Sequence, residues 1–278
     1  MEITKAQLEL EERKEGKDLY SYQKGAIDKI FTAFEESPED YHLLYQLPTG
    51  GGKTVIFSEI VRQYLKHHKK KVLVMTHRIE LCKQTSNMLT EFGVNNKVVD
   101  SKADLSDQSE YSCFVAMVET LNNRLNDDKL DISDIGLVII DEAHYNSFTK
   151  LFKFFSKSFI LGVTATPLSS SIELPMTDNY DELIVGESIE SLIDNGFLAR
   201  AEMFTYNVGL TSLVVGANGD YTVKSSEDLY TDNDMLSKLL QAYEERAKGK
   251  KTLIFNNGIN TSLHVYDTFR RAGYPVAH

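Results

Sequence analysis

The chain has 278 residues, of which 42% are hydrophobic, and its formal net charge at pH 7 is −11. This length allows one large domain or two smaller ones, each with a core. The acidic balance argues against a protein that holds nucleic acid mainly through a basic surface, although backbone N–H groups and helix N-termini can also bind phosphates.

Targeting and redox signals also narrow the class of protein. No apolar stretch approaches the ~18–20 residues that span a bilayer, and the charged residues 1–17 lack the apolar region of a signal peptide. The two cysteines, Cys82 and Cys113, sit in apolar helix and strand patterns. This setting predicts buried, reduced thiols and no disulfide framework or metal cluster. We therefore expect a cytoplasmic protein with no membrane association.

Short apolar runs alternate with stretches of helical periodicity from residue 42 to residue 195. The predicted strands cover residues 42–47, 71–76, 98–99, 112–118, 136–140 and 158–163. The predicted helices cover residues 55–66, 79–92, a stretch from about Thr120, 148–155 and 188–195. This alternation predicts an α/β fold with βαβ units and a mostly parallel sheet, in which the apolar run 136–140 is buried on both faces.

The pattern changes near residue 199, where we place a domain boundary. Residues 209–231 are polar without a clear period and predict a loop or a weak hairpin around residues 218–219. The other predicted elements are a strand at 200–208, a helix at 233–248, a strand at 251–255, a helix at 259–271 and the start of a strand at 276–278.

A glycine-rich loop, residues 48–54 (PTGGGKT), lies between the first predicted strand and the helix after it. Gly50, Gly51 and Gly52 allow successive backbone N–H groups to converge on phosphates without a Cβ in the way. Lys53 can contact the β- and γ-phosphates, and the Thr54 hydroxyl can bind Mg²⁺. The loop therefore predicts binding of a nucleoside triphosphate with Mg²⁺, although Leu47 stands where the general pattern has glycine.

Two carboxylates, Asp141 and Glu142, follow directly on the buried run 136–140. Open α/β sheets bind ligands at the carboxyl ends of their strands, and an ionised pair is costly to bury without partners. We expect Asp141 to hold Mg²⁺ together with Thr54, and Glu142 to orient and deprotonate the attacking water.

Three segments in order, 49–54 (TGGGKT), 141–144 (DEAH) and 164–167 (TATP), each follow a predicted strand. Together they resemble the first RecA-like lobe of the DEAD/DEAH superfamily 2 helicases, a family in which a residue such as Leu47 is normal. The resemblance runs from about residue 19 to residue 278. It implies a first RecA-like ATP-binding helicase domain over residues 1–198, followed over 199–278 by a linker and an incomplete second RecA-like lobe.

The resemblance also implies roles for single residues. The nucleotide would be contacted by Gln23, which would pair with adenine, and by Thr49, Gly50, Gly51, Gly52, Lys53 and Thr54. Catalysis would use Glu142, Asp141 and Lys53, and coupling to nucleic acid would use His144, Thr164 and Thr166. Nucleic acid would be contacted by His77, Arg78 and Thr120. Simpler interpretations exist: Gln23 as a surface amide on a helix, 77–78 as a solvated turn, and Thr120 as an N-cap.

The DEAH spelling and the segment 76–78 (THR) resemble RadD-like repair helicases, excision-repair helicases and restriction-enzyme motor subunits, so we expect DNA rather than RNA as the partner. In this family the second lobe supplies an arginine finger, worth roughly 10³–10⁵ in rate. Neither Arg270 nor Arg271 stands in the finger position. The sequence therefore predicts a chain that binds ATP and Mg²⁺ but hydrolyses ATP weakly alone.

We expect the motor core of an ATP-dependent helicase or translocase. Two other interpretations stay open: a P-loop ATPase that acts on protein partners without nucleic acid, and an inactive nucleotide-binding scaffold. The joint presence of 76–78 and 164–167 favours the motor, because an ATPase independent of nucleic acid has no reason to carry both.

Overall fold

The computed structural model describes residues 18–103, 106–126, 130–169, 174–217 and 219–278. The chain forms two compact units, the first ending at Arg200 and the second covering Ala201–His278.

A seven-stranded sheet forms the centre of the first unit, and all of its pairings are parallel. Its strands are β1 His42–Gln46, β2 Lys71–Thr76, β3 Asn96–Val99, β4 Cys113–Met117, β5 Ile135–Asp141, β6 Phe159–Thr164 and β7 Glu182–Val185. Their order across the sheet is β3-β4-β2-β5-β6-β1-β7. The predicted parallel sheet is therefore confirmed, with strand bounds shifted by one or two residues.

The helices of the first unit are α1 Ser21–Glu35, α2 Lys53–His67, α3 Ile79–Glu91, α4 Val118–Asn126 and α5 Ile189–Asp194. Short 3-10 helices lie at Gln108–Glu110, Asn146–Phe154 and Met176–Asp178. The predicted helix at 148–155 is thus a 3-10 helix. Strand β7 was not predicted; it is a four-residue edge strand whose Leu183 and Val185 are exposed, so it lacks the apolar run of a buried strand.

Two apolar cores cover the two faces of the sheet. In β5, Leu137 and Ile139 belong to one core, which includes α1, α2 and α3, whereas Val138 and Ile140 belong to the other. Side chains alternate across a strand, so a run that is apolar at every position can be buried on both faces. Every residue of β5 is buried, as its sequence predicted.

The strand order determines which loops meet. Strands β2, β5, β6 and β1 are neighbours in that order. Because parallel strands all end at the same edge, the segments 77–78, 142–144, 165–167 and 47–52 emerge side by side.

The second unit contains helices α6 Val223–Tyr230, α7 Asn233–Arg246 and α8 Ile259–Arg271, with a 3-10 turn at Leu210–Ser212. Leu236, Val265 and Phe269 form its small core. The two helices predicted at 233–248 and 259–271 are confirmed. Helix α6 was missed, because the polar stretch 209–231 lacks helical periodicity although Thr222 caps the helix by accepting a bond from the Ser225 N–H.

Three predicted strands of the second unit are wrong: 200–208, 251–255 and 276–278 form no strand. An extended segment becomes a strand only when a neighbour accepts and donates its backbone hydrogen bonds. Within the described part of 201–278, the pairing is limited to one antiparallel bridge between Val215 and Tyr221. That bridge closes a weak hairpin, of which Asn218 lies outside the described residues.

Candidate nucleotide site

Each of the three successive glycines of the loop occupies a position where a Cβ would meet another atom closely, and two of them also have a left-handed backbone. Gly50 and Gly52 have positive φ angles of 84° and 83°. A Cβ on Gly50 would lie 2.9 Å from Leu198 Cδ2, and one on Gly52 would lie 2.6 Å from Gln23 Nε2. A Cβ on Gly51 would meet Leu47 Cγ at 2.8 Å. The loop is thus a cradle whose neighbouring side chains leave no room for a Cβ at these three positions.

Leu47, which departs from the general phosphate-loop pattern, is fully buried under this loop. Its backbone N–H donates to the Thr164 carbonyl at 3.0 Å, so the loop is joined to the end of β6. One residue earlier, the Gln46 side chain donates to the Ala165 carbonyl at 3.3 Å. Leu47 therefore fixes the loop by apolar packing, where a glycine would leave a void beside Gly51.

Lys53 and Asp141 bring opposite charges to the floor of the cradle. Lys53 is the first residue of α2, and its Nζ donates to the Leu47 carbonyl at 3.5 Å. Asp141, at the end of β5, is buried. Burial, together with the neighbouring charge of Glu142, raises the pKa of Asp141 to about 6, against the lowering effect of Lys53. Such a carboxylate lacks a full countercharge, which a cation would supply.

Glu142 has a φ of 54°, the one positive value at a non-glycine residue in the described ranges. A left-handed conformation costs a residue with a Cβ about 1–2 kcal/mol. The turn is held from both sides, because the Ala143 N–H donates to the Val163 carbonyl at 3.0 Å and the Tyr145 N–H donates to the Glu142 carbonyl at 3.2 Å. Strain of this kind concentrates at functional sites.

His144 connects this turn to the segment 164–167. Its Nδ1 lies 2.9 Å from Thr164 Oγ1 and 3.4 Å from Glu142 Oε2. Thr164 Oγ1 donates to the Thr166 carbonyl and accepts from the Thr166 N–H, both at 3.1 Å. Since the single hydroxyl proton is used in that bond, the proton between Thr164 and His144 belongs to His144 Nδ1. The three predicted coupling residues thus form one hydrogen-bonded chain, and its His144 Nδ1 lies 3.4 Å from the Glu142 carboxylate.

Gln23 lies at the start of α1, directly beside the cradle. It is buried, and its Oε1 accepts from the Tyr20 N–H at 3.0 Å in a capping box. The simpler interpretation of Gln23 as a surface amide is therefore wrong. Pairing with adenine would use the second lone pair of Oε1 as an acceptor and the side-chain N–H groups as donors.

An aromatic cluster surrounds this segment. Phe197 lies 4.6 Å from the Tyr20 ring and 4.9 Å from the Tyr22 ring, centroid to centroid. Tyr22 Oη donates to the Gly51 carbonyl at 2.7 Å, and Tyr20 is 54% exposed. An exposed ring beside Gln23 offers a surface on which a base can stack. Sequence reasoning missed Phe197, because no local pattern connects it with residues 20–23.

The predicted nucleic-acid residues begin at the end of β2. Arg78 is exposed, whereas His77 is half-buried and its ring packs on Tyr145 at 4.3 Å. Burial, followed by the nearby Arg78 charge, lowers the pKa of His77. Thr120 lies in the first turn of α4, which begins at Val118, so its interpretation as an N-cap is wrong. It follows β4, one strand farther than β2 from the DEAH segment.

Comparison with known proteins identifies the family. Residues 16–169, more than half of the chain, match the model of the ResIII family, described as "Type III restriction enzyme, res subunit". The chain belongs to this family. Among its relatives is the "51.5 kDa protein" of a Lactococcus phage (isolate 7-9), 28% identical over 239 residues that cover 84% of this chain and 48% of the relative.

Another relative of this ResIII chain is the "Putative ATP-dependent helicase IRC3" of Saccharomyces cerevisiae, 27% identical over 285 residues. That match covers 90% of this chain and 41% of the relative, so the chain spans less than half of either protein. The solved Pyrococcus furiosus Hef helicase domain superposes with a TM-score of 0.51 at 19% identity, covering 91% of this chain and 52% of that one. The expected membership of a helicase-related family and the expected RecA-like fold are confirmed.

Proposed function

We propose that this chain binds ATP with Mg²⁺ as part of the motor core of a nucleic-acid-dependent helicase or translocase. One observation carries the proposal. At a single edge of the sheet, the cradle after β1 and the DEAH turn after β5 are both joined by direct hydrogen bonds to Thr164, the last residue of β6, through Leu47 and His144 respectively. A phosphate site and a coupling segment are thus one connected unit.

The cradle fits a triphosphate, because its glycines leave backbone N–H groups uncovered and Lys53 adds a positive charge beside them. Thr54 and Asp141 fit Mg²⁺: Asp141 is a buried carboxylate whose pKa is raised by burial and by the neighbouring charge of Glu142, so a bound cation would stabilise its ionised form. Within the described ranges no group of three or more His, Cys, Asp or Glu side chains could hold a metal ion. That suits Mg²⁺, which takes one or two protein ligands plus phosphate oxygens and water. Bound there, Mg²⁺ would neutralise charge that develops on the phosphates.

Glu142 is the residue that we propose to orient and deprotonate the attacking water. Its carboxylate lies in the strained turn at the end of β5, one residue beyond Asp141. The imidazole of His144, whose Nδ1 lies 3.4 Å from Glu142 Oε2, and the fixed turn restrict its orientation. Substrate water therefore meets a base that packing has already positioned.

On the nucleic-acid side, we propose backbone contacts by His77, Arg78 and Thr120, with coupling through Thr164 and Thr166. The family description, a restriction-enzyme subunit, supports DNA rather than RNA. The net charge of −11 predicts that binding by this chain alone is weak and sensitive to salt. We assign the first unit to a first RecA-like helicase domain and residues 199–278 to the linker and the beginning of a second lobe.

The acidic charge is also what favours the second candidate, an ATPase that acts on protein partners. Fluorescence polarisation of labelled single-stranded DNA and RNA in low salt separates the two candidates. We expect DNA binding that weakens steeply as salt rises, with Arg78→Ala reducing it. No binding of either strand at low salt would favour the protein-directed ATPase.

The nucleotide assignment is tested by calorimetric titration of ATP with Mg²⁺. We expect binding by the unmodified chain and by Glu142→Gln, and loss of binding in Lys53→Ala. Turnover of the chain alone should be slow with or without DNA, because Arg270 and Arg271 are exposed on α8 and neither stands in the family's finger position. Rapid DNA-stimulated hydrolysis would contradict this expectation, and failure of ATP to bind would contradict the function itself.

A further inference from the structure

Tyr145, which directly follows the DEAH segment, has its ring packed against two imidazoles. The ring centroid lies 4.3 Å from that of His77 and 4.3 Å from that of His144, with interplanar angles of 37° and 36°. His77 belongs to the loop after β2 and His144 to the loop after β5, and these strands are neighbours. The tyrosine ring is therefore the packing element between the two loops.

The His77 side of this arrangement depends on packing. The buried Nδ1 of His77 has no hydrogen-bond partner, so no bond at that atom fixes the ring. The turn around it is otherwise closed by the Thr76 hydroxyl, which donates to the Arg78 carbonyl at 3.1 Å. A shift of this turn therefore changes the contact between His77 and Tyr145 directly.

On the other side, His144 joins Tyr145 to the reactive carboxylate. Its Nδ1 contacts Thr164 Oγ1 at 2.9 Å and Glu142 Oε2 at 3.4 Å. Tyr145 is also tied to Glu142 through the backbone, since its N–H donates to the Glu142 carbonyl. Rotation of the His144 ring would thus move both the neighbouring tyrosine and the orientation of Glu142.

We propose that Tyr145 is a positioning residue that transmits changes between the nucleotide site and the turn at His77 through ring packing. This inference rests on the proposed function, in which Glu142 serves ATP hydrolysis and the turn at residues 76–78 contacts nucleic acid. The phenol ring is 37% exposed, and two imidazoles pack against it in tilted arrangements. Coupling of this kind requires a contiguous physical contact whose arrangement both sites can bias.

The test follows the imidazole NMR signals of the seven histidines, assigned by single substitutions, as a non-hydrolysable ATP analogue and Mg²⁺ are added to the full chain. In the unmodified chain we expect the signals of His144 and His77 to shift together. In Tyr145→Phe, which keeps the ring, both should still shift. In Tyr145→Ala the His144 signal should shift while the response of His77 is lost. Tyr221→Ala, which removes an exposed tyrosine from the second unit, is the matched control and should behave like the unmodified chain.

Tyr145→Leu repeats the comparison with the apolar volume kept and the aromatic ring removed, and it should also lose the His77 response. Thermal melting shows whether Tyr145→Ala is folded; if it is not, the His77 response of Tyr145→Leu tests the inference instead. A full His77 response in Tyr145→Ala or in Tyr145→Leu would overturn the inference, as would a response confined to His144 in the unmodified chain. Failure of the analogue to bind the unmodified chain would overturn the proposed function instead.

Discussion

Gly52→Ala should destabilise the first unit more than a left-handed backbone position alone explains. Gly52 has a φ of 83°, and a left-handed alanine costs about 1–2 kcal/mol. In addition, the new Cβ would lie 2.6 Å from Gln23 Nε2, so the buried amide must move. Movement of Gln23 breaks its bond with the Tyr20 N–H, and a buried group left without its partner costs about 1–3 kcal/mol. We therefore expect a total loss of about 2–5 kcal/mol.

Gly93→Ala is the matched control for this prediction. Gly93 also has a positive φ, 74°, but a Cβ there meets no atom within 4 Å. Gly93→Ala should therefore lower the free energy of unfolding by only about 1–2 kcal/mol. Urea unfolding followed by circular dichroism measures both variants. In a double-mutant cycle, Gln23→Ala should cost less in the Gly52→Ala background than in the unmodified chain. Equal losses for the two glycine variants would refute the proposed clash with Gln23.

Three further predictions concern the site. Asp141→Asn should stabilise the chain without ligand at pH 7.5 by about 2–3 kcal/mol. The reason is that the folded-state pKa of Asp141, about 6, exceeds its pKa in the unfolded chain, so the ionised carboxylate disfavours folding. The same substitution should abolish Mg²⁺-dependent ATP binding. The stability penalty of the ionised Asp141 is present above pH 6 and disappears as the pH falls towards 4. The urea midpoints of the unmodified chain and of Asp141→Asn should therefore converge near pH 4, and a difference that stays constant with pH would contradict the raised pKa of Asp141. Thr164→Val, compared with Thr164→Ser, should cost about 1–3 kcal/mol in urea unfolding, since the buried hydroxyl contacts both His144 and Thr166. Tyr20→Ala should weaken ATP binding by about 1–3 kcal/mol if a base stacks there, and calorimetry should find Tyr20→Phe unchanged.

The sequence predicted the parallel sheet and the candidate site residues at its edge, because both depend on local sequence patterns. Runs that are apolar at every position, such as 136–140, are consistent with strands buried on both faces. The residues of the cradle and of the DEAH segment are consecutive in the chain, so their identity and their position after a strand could be inferred without coordinates.

The second unit shows where local patterns fail. Residues 251–255 have a typical strand sequence, yet they form no strand, because a strand exists only with a hydrogen-bonded neighbour. Helix α6 was missed for the opposite reason: its surface is mostly polar, and the cap at Thr222 is a weaker signal than an apolar period.

Only the tertiary structure decided which distant side chains surround the candidate nucleotide site. Gln23 and Gly52 are separated by almost thirty positions, and Phe197 lies far from Tyr20 in the chain, yet each pair is in contact. Tyr145 received no role from its sequence, because its significance lies in its ring contacts with His77 and His144, which follow the neighbouring strands β2 and β5. Such contacts depend on the order of strands across the sheet, which the sequence of each strand does not specify. The sequence therefore determined which residues are candidates for binding and cleaving a phosphate, and the packing of the strands decided which residues hold them in position.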